Sequence, residues 1–186
     1  MSLSFKELGE FSKILQLEKY MRVYSTKDLP KKTQPEIVII GKSNVGKSTL
    51  INTLINHAIT KTSRNPGCTR WLGYLQLRGI NIIDVPGYGF ASVAKGRKEF
   101  WGQMMEEYIQ SKRCDLALIL VDSRRGIQAI DTQIAEHMNC PHIYLYTKYD
   151  QYGQKTDQLP DNTMAISSKN GTGIFELRKT LSQLIS

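Results

Sequence analysis

Apolar residues follow two patterns along the chain: short continuous runs, and longer stretches with helical spacing. The runs at 37–40 and 116–121 are uninterrupted, which is typical of strands buried on both faces of a sheet. Other strands are indicated at 142–146 and 164–166, and an imperfectly alternating hairpin at 72–84. Helical spacing predicts helices at 49–56, 99–112, 128–138 and 173–185.

The amino-terminal part carries a further helical pattern. Phe5, Leu8 and Phe11 recur at helix-like intervals, and the pattern predicts an amphipathic helix over 4–19 that packs on the main body. Residues 21–24 are expected to form a short edge strand. The polar, proline-containing stretch 29–35 then leads into the strand at 37–40.

Strands that alternate with helices predict an α/β fold. The expected architecture is a three-layer sandwich, with a mostly parallel sheet of about six strands and helices on both faces. The chain of 186 residues suits a single domain, 1–186, in which 1–20 is an extra helix and 21–36 a lead-in strand and linker. Ligands of such folds bind at the carboxyl ends of the strands, and every candidate motif falls just after a strand.

Charge and cysteine content narrow the function classes. The 25 Lys and Arg residues against 17 Asp and Glu give a net charge of +8, which favours a polyanionic partner such as nucleic acid, although a solvated basic surface remains the simpler alternative. No apolar stretch is long enough to cross a bilayer, and the start is no signal peptide. Cys68, Cys114 and Cys140 are far apart in sequence and lack metal-ligand spacing, so we predict free thiols in a cytoplasmic protein that does not bind membranes.

A phosphate-binding loop of the pattern G-x-x-x-x-G-K-[ST] lies between the strand at 37–40 and the helix at 49–56. Glycines let the backbone N–H groups curl around a phosphate, and the helix N-terminus adds its dipole. Lys47 is expected to reach the outer phosphates and the Ser48 hydroxyl to hold Mg²⁺. A glycine turn without a ligand is the alternative. The predicted binding set is Gly41, Lys42, Ser43, Asn44, Val45, Gly46, Lys47, Ser48 and Thr49.

Two further motifs follow strands. Asp84, in Asp84-Val85-Pro86-Gly87, can hold Mg²⁺ through water, while the Gly87 N–H can contact a terminal phosphate. In Thr147-Lys148-Tyr149-Asp150, the carboxylate of Asp150 can accept from N1–H and the N2 amino group of guanine, and the Lys148 stem can lie along the purine. Either motif alone is also found in ordinary surface turns.

In this order the motifs resemble those of translation-factor-type GTPases, most closely the YihA/EngB/YsxC branch of the TrmE-Era-EngA-EngB-Septin-like class. The most specific match is D-x-P-G-Y-G-[FY]-A at 84–91. The resemblance covers roughly residues 21–185, and the other matching stretches are 41–49, 63–69, 122–126 with Asp131, 147–150 and 167–174.

The resemblance implies a P-loop NTPase fold and a GTP/GDP switch that uses Mg²⁺ in assembly of the large ribosomal subunit. Its implied partner is the precursor of that subunit, its RNA and proteins included, and the protein itself is implied to be monomeric. Gly67 and Thr69 fall in the first switch, where Thr69 joins Mg²⁺ only when the γ-phosphate is present. Residues after Asp84 form the second switch.

The family's last guanine-binding stretch corresponds to Ser167, Ser168 and Lys169, whose backbone N–H groups face the guanine O6. Some positions depart from the family pattern. Cys68 and Arg70 replace the usual Lys and Gln beside Thr69, and Ser168 replaces the usual Ala. The segment 151–162 is shorter than usual, which leaves little room for a full helix.

Tyr88 bears on hydrolysis, because many related GTPases have a water-orienting Gln at this position. We therefore expect slow intrinsic hydrolysis that depends on a partner, on backbone groups or on a cation. In several GTPases lacking this Gln, an Asn at the position of Asn44 helps to hold K⁺ against the phosphates. The predicted catalytic set is Lys47, Asn44, Gly87 and Thr69, and the predicted metal ligands are Ser48, Thr69 and Asp84.

Other classes of protein share part of this motif set. An ATPase or nucleotide kinase has the phosphate loop but does not need 147–150, and competition between GTP and ATP separates the two. Tyr88 also leaves open a GTP-binding module that never hydrolyses. A signalling or vesicle-type GTPase is disfavoured because no lipidation motif occurs at 184–186.

Overall fold

The computed structural model describes residues 15–59, 71–89, 95–152 and 161–185, and between 95 and 101 the backbone alone. The described elements alternate strand and helix over most of their length. In chain order they are β1 (Leu17–Val23), a 3-10 turn (Thr26–Asp28), β2 (Glu36–Gly41), α1 (Lys47–Ile55), β3 (Leu72–Leu77), β4 (Asn81–Asp84), α2 (Lys95–Gln110), β5 (Leu116–Asp122), α3 (Ala129–Met138), β6 (His142–Thr147), α4 (Tyr149–Tyr152), β7 (Thr163–Ala165) and α5 (Ile174–Ser182).

The described strands form one seven-stranded sheet in the order β1-β3-β4-β2-β5-β6-β7. The pairs from β4 to β7 are parallel, whereas β1 with β3 and β3 with β4 are antiparallel. The mostly parallel sheet and the 72–84 hairpin are confirmed. The sheet has seven strands where about six were expected, and each of them overlaps a strand indicated by the sequence.

The predicted amino-terminal helix is wrong over 17–20, which belong to strand β1. The residues of β1 alternate between the two faces of the sheet: Tyr20 packs on one apolar cluster and Met21 on the other. Pairing with β3 along Lys19–Val23 supplies the backbone hydrogen bonds of this stretch. Residues 1–14, the remainder of that prediction, lie outside the described residues.

Two apolar clusters fill the space between the sheet and the helices. Ile37 and Ile39 of β2 face the cluster that includes residues of α1 and α5, whereas Val38 and Ile40 face the cluster that includes residues of α2 and α3. All four side chains are fully buried. The three-layer sandwich is therefore confirmed, and the continuous apolar run of β2 follows from its burial on both faces.

The helix predictions differ from the structure mainly at the ends. Helix α2 begins at Lys95, four residues before the predicted start, and its Met104, Met105 and Tyr108 side chains are buried. The short α4 occupies the beginning of the segment that was expected to lack a full helix, and 153–160 lie outside the described residues. Among the helices of the described residues, none has the length and apolarity needed to span a membrane.

Candidate nucleotide-binding site

The phosphate-binding loop joins β2 to α1, and two of its glycines are required by its geometry. A Cβ at Gly41 would lie 2.8 Å from Val45 Cγ1 and 2.9 Å from Leu120 Cβ, so the loop can turn back over β5 only without a side chain there. Gly46 has φ of +115° and precedes α1, whose amino end no side chain caps. Such an end offers N–H groups and a positive dipole to an anion.

Lys47 and Asp84 form the charged centre of this edge. Burial lowers the pKa of Lys47, and the negative charge of Asp84 opposes that shift. Burial also raises the pKa of Asp84 to about 6, against the opposing charge of Lys47. The Lys47 ammonium donates a long hydrogen bond of 3.4 Å to the carbonyl of Gly41. The charges of Lys47 and Asp84 are therefore only partly balanced by their surroundings.

Asp84 ends β4 opposite Ile39, at the carboxyl edge of the sheet. Its Oδ1 atom is buried, and it has no hydrogen-bond partner among the residues that the structure describes. A buried oxygen of this kind normally has a protein, water or ion partner. Carboxylate and hydroxyl oxygens are the ligands Mg²⁺ prefers, so Asp84 with Ser48, the second residue of α1, fits a magnesium site.

Gly87 brings the segment after β4 against the phosphate loop. A Cβ at Gly87 would lie 2.9 Å from Lys47 Nζ and also 2.9 Å from the backbone nitrogen of Ser43. The Ser43 N–H donates to the Tyr88 carbonyl over 3.1 Å. Only glycine lets the backbone come this close to the phosphate loop. The Gly87 backbone can therefore contact a ligand that binds beside Lys47.

Tyr88 turns its side chain away from the loop. The ring packs in the apolar cluster on the α3 side and is 6% exposed, and its hydroxyl donates to Asp131 Oδ1. The other carboxylate oxygen of Asp131 accepts from the backbone N–H of Gln128 at the start of α3. Burial and the negative neighbour raise the pKa of Tyr88 well above its usual range. This packing role was not predicted, although Asp131 belonged to the matched motif set.

Hydrogen bonds from Thr147 and Lys148 connect the end of β6 to the phosphate loop. The Thr147 hydroxyl donates to the Val45 carbonyl over 2.7 Å. Lys148 adopts φ of +59°, and its ammonium donates to the Asn44 carbonyl at 3.0 Å and to Asp122 Oδ2 at 2.9 Å. The two predicted motifs are thus joined by direct hydrogen bonds, and the Lys148 side chain is held at both acceptors.

Asp122 is the acceptor that sequence reasoning missed. Arg124 binds both its oxygens, with Nε and Nη2 each 2.8 Å away, and the Arg124 guanidinium lies over the Tyr152 ring. The hydrogen bond from Arg124, followed by that from Lys148, lowers the pKa of Asp122 below its usual range. Two sequence signals pointed to Asp122: it ends a buried strand, and it begins the matching stretch 122–126.

Asp150 lies exposed in α4, beside the turn that follows β7. The Ser167 hydroxyl donates to Asp150 Oδ1 over 2.6 Å and accepts from the backbone N–H of Lys169. The prediction that the Ser167 backbone N–H faces the guanine is wrong, because that N–H donates to the Thr172 carbonyl over 2.9 Å. Ser167 instead contributes its side chain, which supports Asp150. Ser168 and Lys169 follow in the same turn.

The structure therefore brings most predicted site residues to one edge of the sheet. Four groups of these residues lie at or just after the carboxyl ends of parallel strands: 41–49, Asp84 with Gly87, 147–150 and 167–169. Gly67 and Thr69 lie outside the described residues. Asn44 adopts φ of +63°, a left-handed conformation that Asn tolerates, and its carbonyl is engaged by Lys148.

Comparisons with known proteins agree with this arrangement. A family model described as 50S ribosome-binding GTPase matches residues 36–148. The chain is 40% identical over 142 residues to a probable GTP-binding protein EngB of Prosthecochloris aestuarii, which covers 73% of this chain and 74% of that protein. It is 36% identical over 166 residues to the corresponding protein of Aquifex aeolicus, with 81% and 91% coverage.

Solved structures with the same fold include a probable GTP-binding protein EngB, with a TM-score of 0.66, 26% identity, and coverage of 81% of this chain and 98% of that one. Another is Era in complex with MgGDPNP and nucleotides 1506–1542 of 16S ribosomal RNA. It has a TM-score of 0.63, 28% identity, and coverage of 81% of this chain and 56% of Era.

Proposed function

Because the chain belongs to the EngB family of 50S ribosome-binding GTPases, which are GTP-hydrolysing enzymes, we propose that it is a GTP/GDP switch in assembly of the large ribosomal subunit. One observation carries the nucleotide part of this proposal. The partly compensated pair of Lys47 and Asp84 lies beside a close approach of Gly87, on the same sheet edge as the supported carboxylate of Asp150.

Each loop has a distinct role in holding the nucleotide. Lys47 and the backbone N–H groups at the uncapped amino end of α1 bind the phosphates, and the Gly87 N–H contacts the γ-phosphate of GTP. Ser48, Asp84 and, in the GTP form, Thr69 hold Mg²⁺. When bound, Mg²⁺ neutralises negative charge on the phosphate oxygens.

Guanine is selected by Asp150. Its carboxylate accepts from N1–H and the N2 amino group, and the Ser167 hydroxyl fixes its orientation. Adenine has no matching pair of donors at these positions. Lys148, held between Asn44 and Asp122, supplies a fixed side chain along the purine plane, while the backbone N–H groups of Ser168 and Lys169 face O6. We also assign Gly67, in the expected first switch, to nucleotide binding.

Intrinsic hydrolysis is slow in this proposal, because the side chain that follows Gly87 is anchored elsewhere. Tyr88 donates to Asp131 in the core and leaves no side chain there to orient the attacking water. We assign part of the missing function to K⁺ held near the Asn44 side chain. Turnover measured in KCl and in NaCl at equal ionic strength tests this, since equal rates would contradict a role for K⁺.

The partner is the large-subunit precursor, met in the cytoplasm by a monomeric protein. The excess of basic residues, net +8, supports an RNA contact. In the GTP form the two switch segments create the docking surface, and hydrolysis releases the protein.

Co-sedimentation with purified large subunits tests this function. Protein loaded with a non-hydrolysable GTP analogue should pellet with large subunits, and GDP-loaded protein should remain largely in the supernatant. Association should also weaken steeply with increasing salt. Small subunits serve as the matched control. Equal pelleting of both nucleotide forms, or preference for small subunits, would contradict the proposal.

A further inference from the structure

Two cysteines that are 26 residues apart in sequence meet at the end of the sheet opposite the nucleotide edge. Cys114 precedes β5 by two residues and Cys140 precedes β6 by two residues. Their Sγ atoms are 3.2 Å apart, and both side chains are half-buried. Spacing along the chain gave no sign of this contact, because it arises from the parallel pairing of the two strands.

The strand pairing suits a covalent bond between the two sulfur atoms. Strands β5 and β6 are hydrogen-bonded neighbours, with Ala117 opposite His142. Adjacent strands lie about 4.8 Å apart, and a disulfide needs Cα atoms roughly 4.4–6.8 Å apart. Because the two sulfur atoms are already 3.2 Å apart, small changes in side-chain torsion angles and in the backbone before each strand can bring them to bonding distance.

The surroundings distinguish the two thiols. The hydrogen bond with Cys114, followed by one from the Ala117 backbone, lowers the pKa of Cys140, although burial opposes this shift. The pKa of Cys114 is raised, chiefly by the same hydrogen bond with Cys140 and then by burial. Cys140 is thus the thiol of the pair that loses its proton more readily.

We propose that Cys114 and Cys140 are a reversible oxidation site, which closes to an intramolecular disulfide when the protein meets a disulfide oxidant such as oxidised glutathione. The Cys140 thiolate attacks one sulfur of the oxidant and displaces one glutathione thiolate. The Cys114 sulfur, as its proton leaves to solvent, then attacks Cys140 Sγ and displaces the second glutathione. Two protein thiols are oxidised, and one glutathione disulfide is reduced to two thiols.

The bond would act on stability more than on the nucleotide site. Cys114 precedes the seven-residue strand β5 by two residues, so it lies about 25 Å from Asp122 at the other end of that strand. The disulfide would enclose β5 and α3 in a short covalent loop and reduce the freedom of the unfolded chain. We therefore expect the melting temperature of the oxidised protein to rise by about 5–10 °C, with GDP affinity unchanged within about twofold.

Peptide mass spectrometry on the GDP-loaded protein tests the site directly. Wild-type protein is equilibrated in glutathione redox buffers, quenched in acid, alkylated and digested. The expected product is a peptide pair joining Cys114 to Cys140, two hydrogen masses lighter than the free peptides and released by dithiothreitol. The Cys114→Ser and Cys140→Ser variants should lose that product and the rise in melting temperature. Cys68→Ser is the matched control and should retain both.

The wild-type protein suffices to overturn the proposal if a serine variant fails to fold. Full alkylation of Cys114 and Cys140 after exposure to oxidised glutathione would contradict it. So would glutathione adducts without a cross-link, or a disulfide that joins either residue to Cys68.

Discussion

Glu36 and Asp84 are acidic side chains on the neighbouring strands β2 and β4, at opposite ends of the sheet. Glu36 is fully buried, and both of its oxygens have partners: Oε1 accepts from the Tyr108 hydroxyl at 2.9 Å and Arg113 Nε at 3.0 Å, and Oε2 accepts from Arg113 Nη2 at 2.7 Å. Asp84 has one buried oxygen without a hydrogen-bond partner among the described residues. Its nearest opposite charge, Lys47, is itself desolvated.

The difference distinguishes a structural carboxylate from a functional one. A buried charge that is fully hydrogen-bonded joins elements, here β2 to α2 and to the segment before β5. A buried oxygen left without a partner costs free energy in the folded protein unless a ligand satisfies it. Both ends of the sheet carry buried acids, and among the described residues it is the carboxyl end that leaves one of them available to a ligand.

The largest effect is expected from Glu36→Gln. Loss of the negative charge leaves Arg113, 16% exposed, without its ion-pair partner, and should lower the free energy of unfolding by about 3 kcal/mol. Urea denaturation measures this change, and the preference for GTP over ATP should remain.

Asp84→Asn makes the same acid-to-amide change at the other end and serves as the control. Burial raises the pKa of Asp84 to about 6, above that of an unfolded aspartate, so ionisation destabilises the fold as the pH rises through that window. At pH 7.5 the neutral amide should not lower the free energy of unfolding. A loss as large as that of Glu36→Gln would remove the distinction between the two ends.

Asp150→Asn should reduce GTP affinity by about 100-fold, because two hydrogen bonds to a charged acceptor are lost. The amide can instead donate to the O2 atom of xanthine, so affinity for xanthosine triphosphate should rise. Competition against a fluorescent guanine nucleotide measures both. Ser167→Ala removes only the supporting hydroxyl and should weaken GTP binding by a smaller factor. Unchanged GTP affinity in Asp150→Asn would contradict guanine selection by this residue.

Tyr88→Phe tests whether the residue after Gly87 belongs to the core. Its hydroxyl donates to a buried oxygen of Asp131, so its loss should lower the free energy of unfolding by about 1–2 kcal/mol. The ring contacts remain, and single-turnover GTP hydrolysis should stay within about twofold of wild type. A hydrolysis rate reduced tenfold at unchanged stability would instead assign the hydroxyl to the reaction.

The smallest effect is expected from Asp122→Asn. The amide weakens the attraction that holds Lys148 and Arg124, while the Asn44 carbonyl still accepts from Lys148. GDP affinity should fall by about 3–10-fold, mainly through faster dissociation. Stopped-flow release of a fluorescent GDP measures that rate. An unchanged rate would show that Lys148 does not need its second acceptor.

Local sequence patterns predicted the parallel core and most of the nucleotide edge. Continuous apolar runs mark strands that are buried on both faces, and the motifs follow those strands directly, as at Asp84 and Thr147. The strand at 17–20 was missed because apolar residues there fit helical spacing, whereas pairing with β3 decides the outcome. Pairing partners are distant in sequence and leave no local signal.

The side-chain contacts that complete the site were harder to predict. Three of these contacts join residues from separate segments of the chain. They are the hydrogen bonds of Ser167 with Asp150, of Lys148 with Asp122, and of Tyr88 with Asp131. Their residue types are common in turns, so only the folded geometry identifies them. The saturation of Glu36 by Tyr108 and Arg113 likewise depends on how α2 packs on the sheet.

The difference between Asp84 and Glu36 is tested most directly by the Mg²⁺ dependence of single-turnover GTP hydrolysis. If the buried Oδ1 atom of Asp84 serves Mg²⁺, Asp84→Asn should raise the Mg²⁺ concentration for half-maximal rate by at least about tenfold. Glu36→Gln, measured at a temperature where it remains folded, should leave that concentration unchanged. Identical Mg²⁺ dependence in wild type and Asp84→Asn would contradict the assignment of this carboxylate to the metal site.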